Sequence, residues 1–394
     1  MIPPPVARMA AKRKQKKSAP LITMFMTLIC TLMLMYVLLA NQVMNSRKED
    51  NCDTKVDLDG IYRRDSPKIQ SSTASSVSSL SSSNHRALNC NDMLRDFLNG
   101  KIEEMELTRG FEKSFVTRTV TSKPFYWATH KIELDHTRAS SYSAGYYYEK
   151  QLSQRVVDVF DMVKKEQGEE SIFLDVGGNI GWFSLLAAAH GASKVYTFEP
   201  NPSNLVRICE SLNLNGWNEL VDLMMVGVSD QDGKQTLFKV NPTNPGAFSF
   251  DVNRANKYNG GKPQQVAGEF EMMTLDTFAE EMGWFESRPK IGFFKLDVEG
   301  YEPKIIKGAE RLFKSRLIQM FALEMKNKLH HAHDKRAMIK IFFESGYELY
   351  MHGTFAGPRN IVEDKFDRWE DLAQAVIDRK YGENLLFRRI EQKK

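Results

Sequence analysis

From residue 171 onward, short apolar runs alternate with segments of helical period. SIFLDVGGNIG (171–181) sets the rhythm: Ile172, Phe173, Leu174 and Val176 form an apolar run with Asp175 near its end, followed by a glycine turn and the apolar segment WFSLLAAAHG. An unbroken run of this length is the mark of a central parallel strand covered on both faces. KVYTFEP (194–200), VDLMMVGVS (221–229), KIGFFKLDV (290–298) and LIQMFALEM (317–325) read as further strands. Helices are expected over 202–214 and in DKRAMIKIFFESG (334–346), which Gly346 ends. YELYMHG and NLLFRRI supply two last strands. Alternating strand and helix predicts an α/β fold, a mostly parallel seven-stranded sheet with helices on both faces. TLFKV and EFEMMTL read as added strands around a long Pro/Gly/Asn-rich loop, a variable lid over the substrate.

The amino-terminal part has a different pattern. Residues 1–20 are basic, with Arg8, Lys12, Arg13, Lys14, Lys16 and Lys17 and no acid. Residues 21–40 are an uninterrupted uncharged run without a polar face. At a rise of about 1.5 Å per residue this run spans about 30 Å, the thickness of a bilayer core, and is expected to be a transmembrane helix. The positive flank predicts a cytoplasmic tail and a single-pass type II protein with its bulk in the Golgi or ER lumen. Residues 41–85 are expected to be a disordered, Ser-rich stem that cannot bury enough apolar surface to fold. Residues 86–150 form a lead-in or cap, with a short helix in RALNCNDMLRDFLNG and strand-like composition after it. Residues 151–394 form the catalytic domain, opening on a helix with Val156, Val157, Phe160 and Val163 on one face.

The net charge of +4 is concentrated in the tail, and no basic patch is interleaved with aromatics, so a nucleic-acid surface is not expected. Of the four cysteines, Cys30 lies in the apolar run. Cys52 and Cys90 flank the serine tract in an oxidising space and are candidates to pair. Cys209 reads as a buried apolar residue. Nothing in the pattern sets an oligomeric state.

A strand, a glycine turn and a helix start suit a nucleotide-type ligand, because glycine admits close approach and the helix start offers N–H donors. The glycine pattern is not that of a dinucleotide fingerprint: the three glycine places counted from Gly177 hold Gly177, Asn179 and Trp182. This disfavours a nicotinamide-dependent oxidoreductase. A phosphate-loop ending in Gly-Lys-Ser/Thr is also absent. What stands here is D-x-G-x-N-x-G, from Asp175 to Gly181.

That string resembles the first motif of class I S-adenosylmethionine-dependent methyltransferases. Together with VYTFEPNPSNL (195–205), VGVSDQDG (226–233), MTLDTF (273–278) and FFKLDVEGYEPKIIKGAERLF (293–313), it resembles the FkbM-type family. The resemblance implies a Rossmann-like class I methyltransferase fold, S-adenosyl-L-methionine as cofactor, and O-methylation of a sugar or other hydroxyl-bearing small molecule. It also implies that the cap, with Tyr146, Tyr147 and Tyr148, lies over the cofactor mouth; ordinary aromatic packing is the alternative.

In open parallel sheets ligands bind at the carboxyl ends of strands. Asp175, Gly177, Gly178, Asn179 and Gly181 are expected to hold the methionine part of the cofactor. Glu199 is expected to accept from the ribose hydroxyls. Ser229 and Asp230 are candidates to reach the adenine, with an ordinary turn as the alternative. Lys295, Asp297 and Glu299, spaced by two, would project to one face of a strand. Asp297 or Glu299 is the candidate base and Lys295 the orienting cation. Glu324 ends the next strand, and His330, His331 and His333 follow. No metal is expected: solvated loop histidines are preferred over a metal site with Asp297 and Glu324, while a histidine base stays open. The rival from another class is a non-catalytic, membrane-anchored binding module that keeps the fold.

Overall fold

A buried five-residue strand, β3 (Ile172–Val176), has every residue covered, as its apolar run requires. The computed structural model describes residues 87–98, 115–130, 147–166, 170–239, 248–252, 266–298, 300–326, 330–353 and 360–391, all within one compact unit, Leu80–Lys394. The expected tail, transmembrane run and stem, together with Cys52, Tyr146, Glu299 and most of the lid loop, lie outside the described residues. Among the described residues no helix is long and apolar enough to cross a membrane.

β3 pairs in parallel with β4 (Lys194–Phe198) and with β10 (Ile291–Leu296). β4 pairs in parallel with β5 (Val221–Met224), and β10 with β11 (Ile318–Glu324). β13 (Asn384–Arg389) inserts between β11 and β12 (Tyr347–His352), antiparallel to both. The seven-stranded order is β12-β13-β11-β10-β3-β4-β5. The sheet is therefore mixed at one edge rather than purely parallel, because β13 returns against its neighbours after the excursion through α10 (Trp369–Ile377).

VDLMMVGVS is not one strand. The chain leaves the large sheet after Met224, Met225 is 46% exposed, and β6 (Gly227–Val228) joins a second sheet. That sheet has the order β6-β9-β7-β8, built from β7 (Gly233–Lys239), β8 (Phe248–Ser249) and β9 (Val266–Met273).

The helices flanking the glycine loop carry clear start signals. α3 (Trp182–His190) begins at Gly181 and stops at Gly191, both left-handed. α4 (Pro202–Asn215) has Pro202 in its first turn and Asn201 as its cap, whose side chain accepts from the Ser203 N–H. α9 (Ala332–Glu344) starts at His331, whose N–H donates to Asp334.

β1 (Phe115–Arg118) and β2 (Tyr126–Thr129) form an antiparallel hairpin. Trp127 packs edge-on against Trp182 at 4.8 Å between rings and donates its indole N–H to the Ile180 carbonyl at 3.0 Å. Lys123 and His190 both hold Asp161 on α2 (Lys150–Glu166), joining the hairpin to two helices. The expected Cys52–Cys90 pair is corrected: Cys90, on α1 (Cys90–Leu98), is bonded to Cys209 on α4, and Cys209 is buried but not a free thiol. Pairing follows spatial neighbourhood, and a sequence separation of 119 hid it from a local reading.

Candidate active site

The glycine turn sits at the carboxyl edge of the large sheet, where β3 lies between β4 and β10 and the direction of strand progression reverses. Four of its backbone N–H groups are committed within the protein. The N–H groups of Gly177 and Gly178 both donate to the Phe198 carbonyl, and Gly181 donates to the Gly178 carbonyl. The Asn179 N–H donates to Glu199 Oε2 at 2.8 Å. The turn spends these four donors on its own architecture.

The glycines answer to packing. A Cβ on Gly177, whose φ is +82°, would lie 2.0 Å from the Asp297 carbonyl oxygen. A Cβ on Gly178 would lie 2.3 Å from Thr197 Cγ2. The loop is pressed directly onto the chain that follows β10, which couples the first motif to Asp297.

Asp175 is fully buried. Its Oδ2 accepts from Ser184 Oγ at 2.6 Å, and Ser184 Oγ lies 2.7 Å from Thr197 Oγ1. Its Oδ1 has no hydrogen bond and faces Lys295 Nζ at 3.4 Å. The two residues are direct partners in the β3–β10 register. Lys295 donates to the Gly177 carbonyl at 2.9 Å and lies 4.0 Å from Asp297 Oδ2. Burial pulls its pKa down, but Asp175, Asp297 and Glu149 outweigh it and hold the ammonium above its ordinary value. Lys295 therefore stays charged and ties strand, loop and Asp297 together.

Asp297 lies one residue beyond β10, which ends at Leu296, and its carboxylate is on the same side as Lys295. Its N–H caps the Val176 carbonyl at 3.1 Å, and its side chain is 34% exposed. Glu299 lies outside the described residues.

Glu199 is almost buried. Oε2 takes the Asn179 N–H and Oε1 takes the Asn201 N–H at 2.9 Å. Burial pushes its pKa up to about 7, against the opposing pull of those N–H groups, of the Asn204 side chain and of Lys295. A carboxylate has about four acceptor sites, so one backbone donor on each oxygen, with the Asn204 side chain nearby, does not exhaust its capacity for a ribose hydroxyl.

These groups line a cleft with about 1050 Å³ of space unfilled by protein atoms, part of it open to solvent. Glu199, Lys295 and Asp297 are on its wall, with Gly177, Gly178 and Asn179. Asp175 and Gly181 are not; they act one layer behind. Ser229 and Asp230 are also absent from the wall. The Ser229 N–H closes the β6–β9 pair on the Met273 carbonyl, and Asp230 pairs with Lys307 at 2.9 Å. Val226, Gly227 and Val228 line the cleft in their stead, facing Phe250, Tyr301 and Ile305. Trp127 and Tyr148 also line it. These apolar residues carry no local signal of ligand contact; only the break after Met224 brings their backbone to the cleft.

Glu324 is on a different wall. It lines a second cavity of about 780 Å³, also partly open, that shares Lys295 and Asp297 with the cleft. Of the expected solvated loop histidines, His331 and His333 are exposed, but they sit at the start of α9, as its cap and in its first turn, rather than in a loop. His330 corrects that expectation: it is buried, with Nε2 2.8 Å from Glu302 Oε2. Glu302 also accepts from the N–H groups of Val298 and Gly300, so the pair clamps the loop that carries Asp297. Among the described residues no cluster could hold a metal ion.

A Rossmann-like sheet of this order, with a glycine turn after its central strand and an acid after the next, defines the class of nucleoside-binding α/β domains. Within that class, residues 175–349 match the model of the Methyltransferase FkbM domain. A curated relative, the hexuronic acid methyltransferase AglP of Haloferax volcanii, is 26% identical over 158 residues, 40% of this chain. The chain spans 58% of that relative's length. Solved structures similar to this chain include a SAM-dependent methyltransferase from Agrobacterium tumefaciens (10% identity, 59% of this chain and 58% of that one, TM-score 0.31). Another is a SAM-dependent O-methyltransferase from Thermotoga maritima (10% identity, 71% and 79%, TM-score 0.29).

The cofactor of the matched domain is S-adenosyl-L-methionine. The cleft fits it: Glu199 is a desolvated carboxylate with acceptor capacity left for a ribose hydroxyl, and the apolar wall from Val226 to Ile305 suits a purine ring.

Proposed function

We propose that the protein is an S-adenosylmethionine-dependent O-methyltransferase that acts on a hydroxyl of a glycan or other small molecule. The observation that carries this reading is Asp297, a part-exposed carboxylate on the shared wall of two cavities, one suited to the cofactor and one open to an acceptor. The hexuronic acid for which the Haloferax relative is named supports a hydroxyl-bearing sugar as acceptor.

When bound, the cofactor supplies a sulfonium-activated methyl group, which an acceptor oxygen takes while the C–S bond electrons remain on sulfur. The chain supplies the rest. Asp297 Oδ2 takes the proton that the hydroxyl loses. Lys295 fixes that carboxylate and the Gly177 carbonyl in one frame. Glu302 and His330 hold the loop, so the base does not wander from the line of transfer.

The proposal extends to the address: a type II protein anchored by residues 21–40, with the catalytic domain in the Golgi or ER lumen. The Cys90–Cys209 disulfide supports an oxidising compartment.

The test is transfer of labelled methyl from S-adenosylmethionine to glycan hydroxyls, with Asp297→Asn beside the wild type. The expected result is ether-linked label and a fall in kcat of about 10²-fold or more with cofactor affinity retained. An unchanged kcat in the variant removes Asp297 as base. Absence of any transfer by protein that binds the cofactor favours the anchored binding module.

A further inference from the structure

The edge of β2 that faces α4 is held by side chains of that helix. Alternate backbone groups of a strand point to opposite edges, and those of Tyr126 and Ala128 point away from β1. The Tyr126 N–H donates to Asn215 Oδ1 at 2.9 Å, and Asn215 Nδ2 donates back to the Tyr126 carbonyl at 2.7 Å. The Ala128 N–H donates to Ser211 Oγ at 2.9 Å. Two residues further on, His130 Nε2 lies 3.0 Å from Asn204 Oδ1. Asn215, Ser211 and Asn204 are about one and then two helical turns apart, so they share one face of α4. Each step of two along the strand therefore meets the next of them, and the last step ends on Asn204.

Asn204 carries the contact on to the cleft. An amide oxygen only accepts, so His130 Nε2 bears the proton in this pair. The Asn204 side chain stands beside the Glu199 carboxylate and pulls its pKa down. Both residues are buried, His130 at 4% and Asn204 at 1% exposure. Asn204 Nδ2 makes no well-formed hydrogen bond. A buried donor of this kind demands an acceptor, and the carboxylate beside it is one.

We propose that His130 and Asn204 are positioning residues that couple the seating of the β1–β2 hairpin to Glu199 and hold its carboxylate as the acceptor for a ribose hydroxyl of the cofactor. The inference rests on the methyltransferase reading above and adds to it the residues that set how firmly the cofactor is held. A donor beside a carboxylate favours its ionised form and fixes its orientation. His130 acts through Asn204: by engaging Oδ1 it keeps the amide nitrogen on the Glu199 side. The other groups facing Glu199 are the Asn179 N–H from the glycine turn, the Asn201 N–H at the start of α4 and the Lys295 ammonium from β10. All three favour ionisation against burial, and Asp297 lines the same cleft. Losing the amide therefore leaves Glu199 protonated up to a higher pH.

The test is calorimetric titration of the purified protein with S-adenosylmethionine from about pH 6.5 to about pH 8.5, for wild type, Asn204→Leu and His130→Leu. The ratio of variant to wild-type Kd at each pH cancels titration of the ligand itself. The expected ratio is about fivefold or more at the acid end and under about twofold at the alkaline end. His130→Gln, which keeps a side-chain N–H donor, should recover most of the affinity that His130→Leu loses. Asn204→Ser, too short to span both partners, should behave as Asn204→Leu and serves where leucine impairs folding. In the free protein, denaturant melts of either Asn204 variant should show the Glu199-linked loss of stability moved to higher pH. A ratio that is flat across pH, a pH dependence that survives in a Glu199→Gln background, or an unmoved linkage in the free protein assigns the two residues to packing alone and overturns the proposal. Wild-type protein that shows the linkage yet binds no S-adenosylmethionine overturns the cofactor reading on which it rests.

Discussion

Glu199 shows how one side chain carries two duties. It locks the glycine turn through the Asn179 N–H and the start of α4 through the Asn201 N–H, and it faces the cleft. Its raised pKa, about 7 against an ordinary 4.5, sets the sign of two pH effects. In the free protein the folded state holds the proton more tightly than the unfolded chain. The associated stability is fully present below about pH 4.5 and is lost as pH rises through about 7. Cofactor binding runs the other way, because a diol needs the ionised acceptor. Titrations across pH 6–8 should show affinity weakening as pH falls through about 7, and Glu199→Gln should flatten that slope. Gly177→Ala places a methyl against the Asp297 carbonyl at a left-handed φ and should lower stability by roughly 2–4 kcal/mol in denaturant melts. The identities of Glu199, Lys295 and Asp297 were legible as motif letters, but their contacts were not. Nothing local to Lys295 says that it faces Asp175, since that contact exists only once β3 and β10 pair.

Elements were read more securely than their edges. The strands of the large sheet follow from apolar runs, and helices from stop signals such as Gly346; the caps at Asn201 and Gly216 were seen only in the structure. The break at Met225 escaped, because VDLMMVGV is continuous in β propensity and only tertiary pairing divides it. The loop after β10 is held by a buried Glu302–His330 pair. Removing its carboxylate in Glu302→Ala should cut kcat by about tenfold or more while cofactor affinity stays near wild type, read in steady-state kinetics beside calorimetry. The disulfide joins α1 to α4, the helix that begins just beyond Glu199. Cys90→Ser should cost about 2–5 kcal/mol in unfolding experiments, whereas Cys52→Ser should leave the Cys90–Cys209 peptide intact in non-reducing maps.

For the molecule as a whole, the class of fold was legible because alternating strand and helix admits few topologies. The insertion of β13 between β11 and β12 was not, since strand order has no local signature. The two-cavity plan was equally hidden: Glu149 and Asn384 are far apart in sequence and meet only across the sheet's carboxyl edge. Glycine loop, Glu199 and Asp297 line one cleft, the proposed cofactor site, and calorimetric titration of the purified protein with S-adenosylmethionine, beside Glu199→Ala, tests that proposal directly. The account predicts saturable one-to-one binding, weakened about tenfold or more in a variant that keeps its fold. No binding by folded wild-type protein, or binding indifferent to the loss of Glu199, would contradict it.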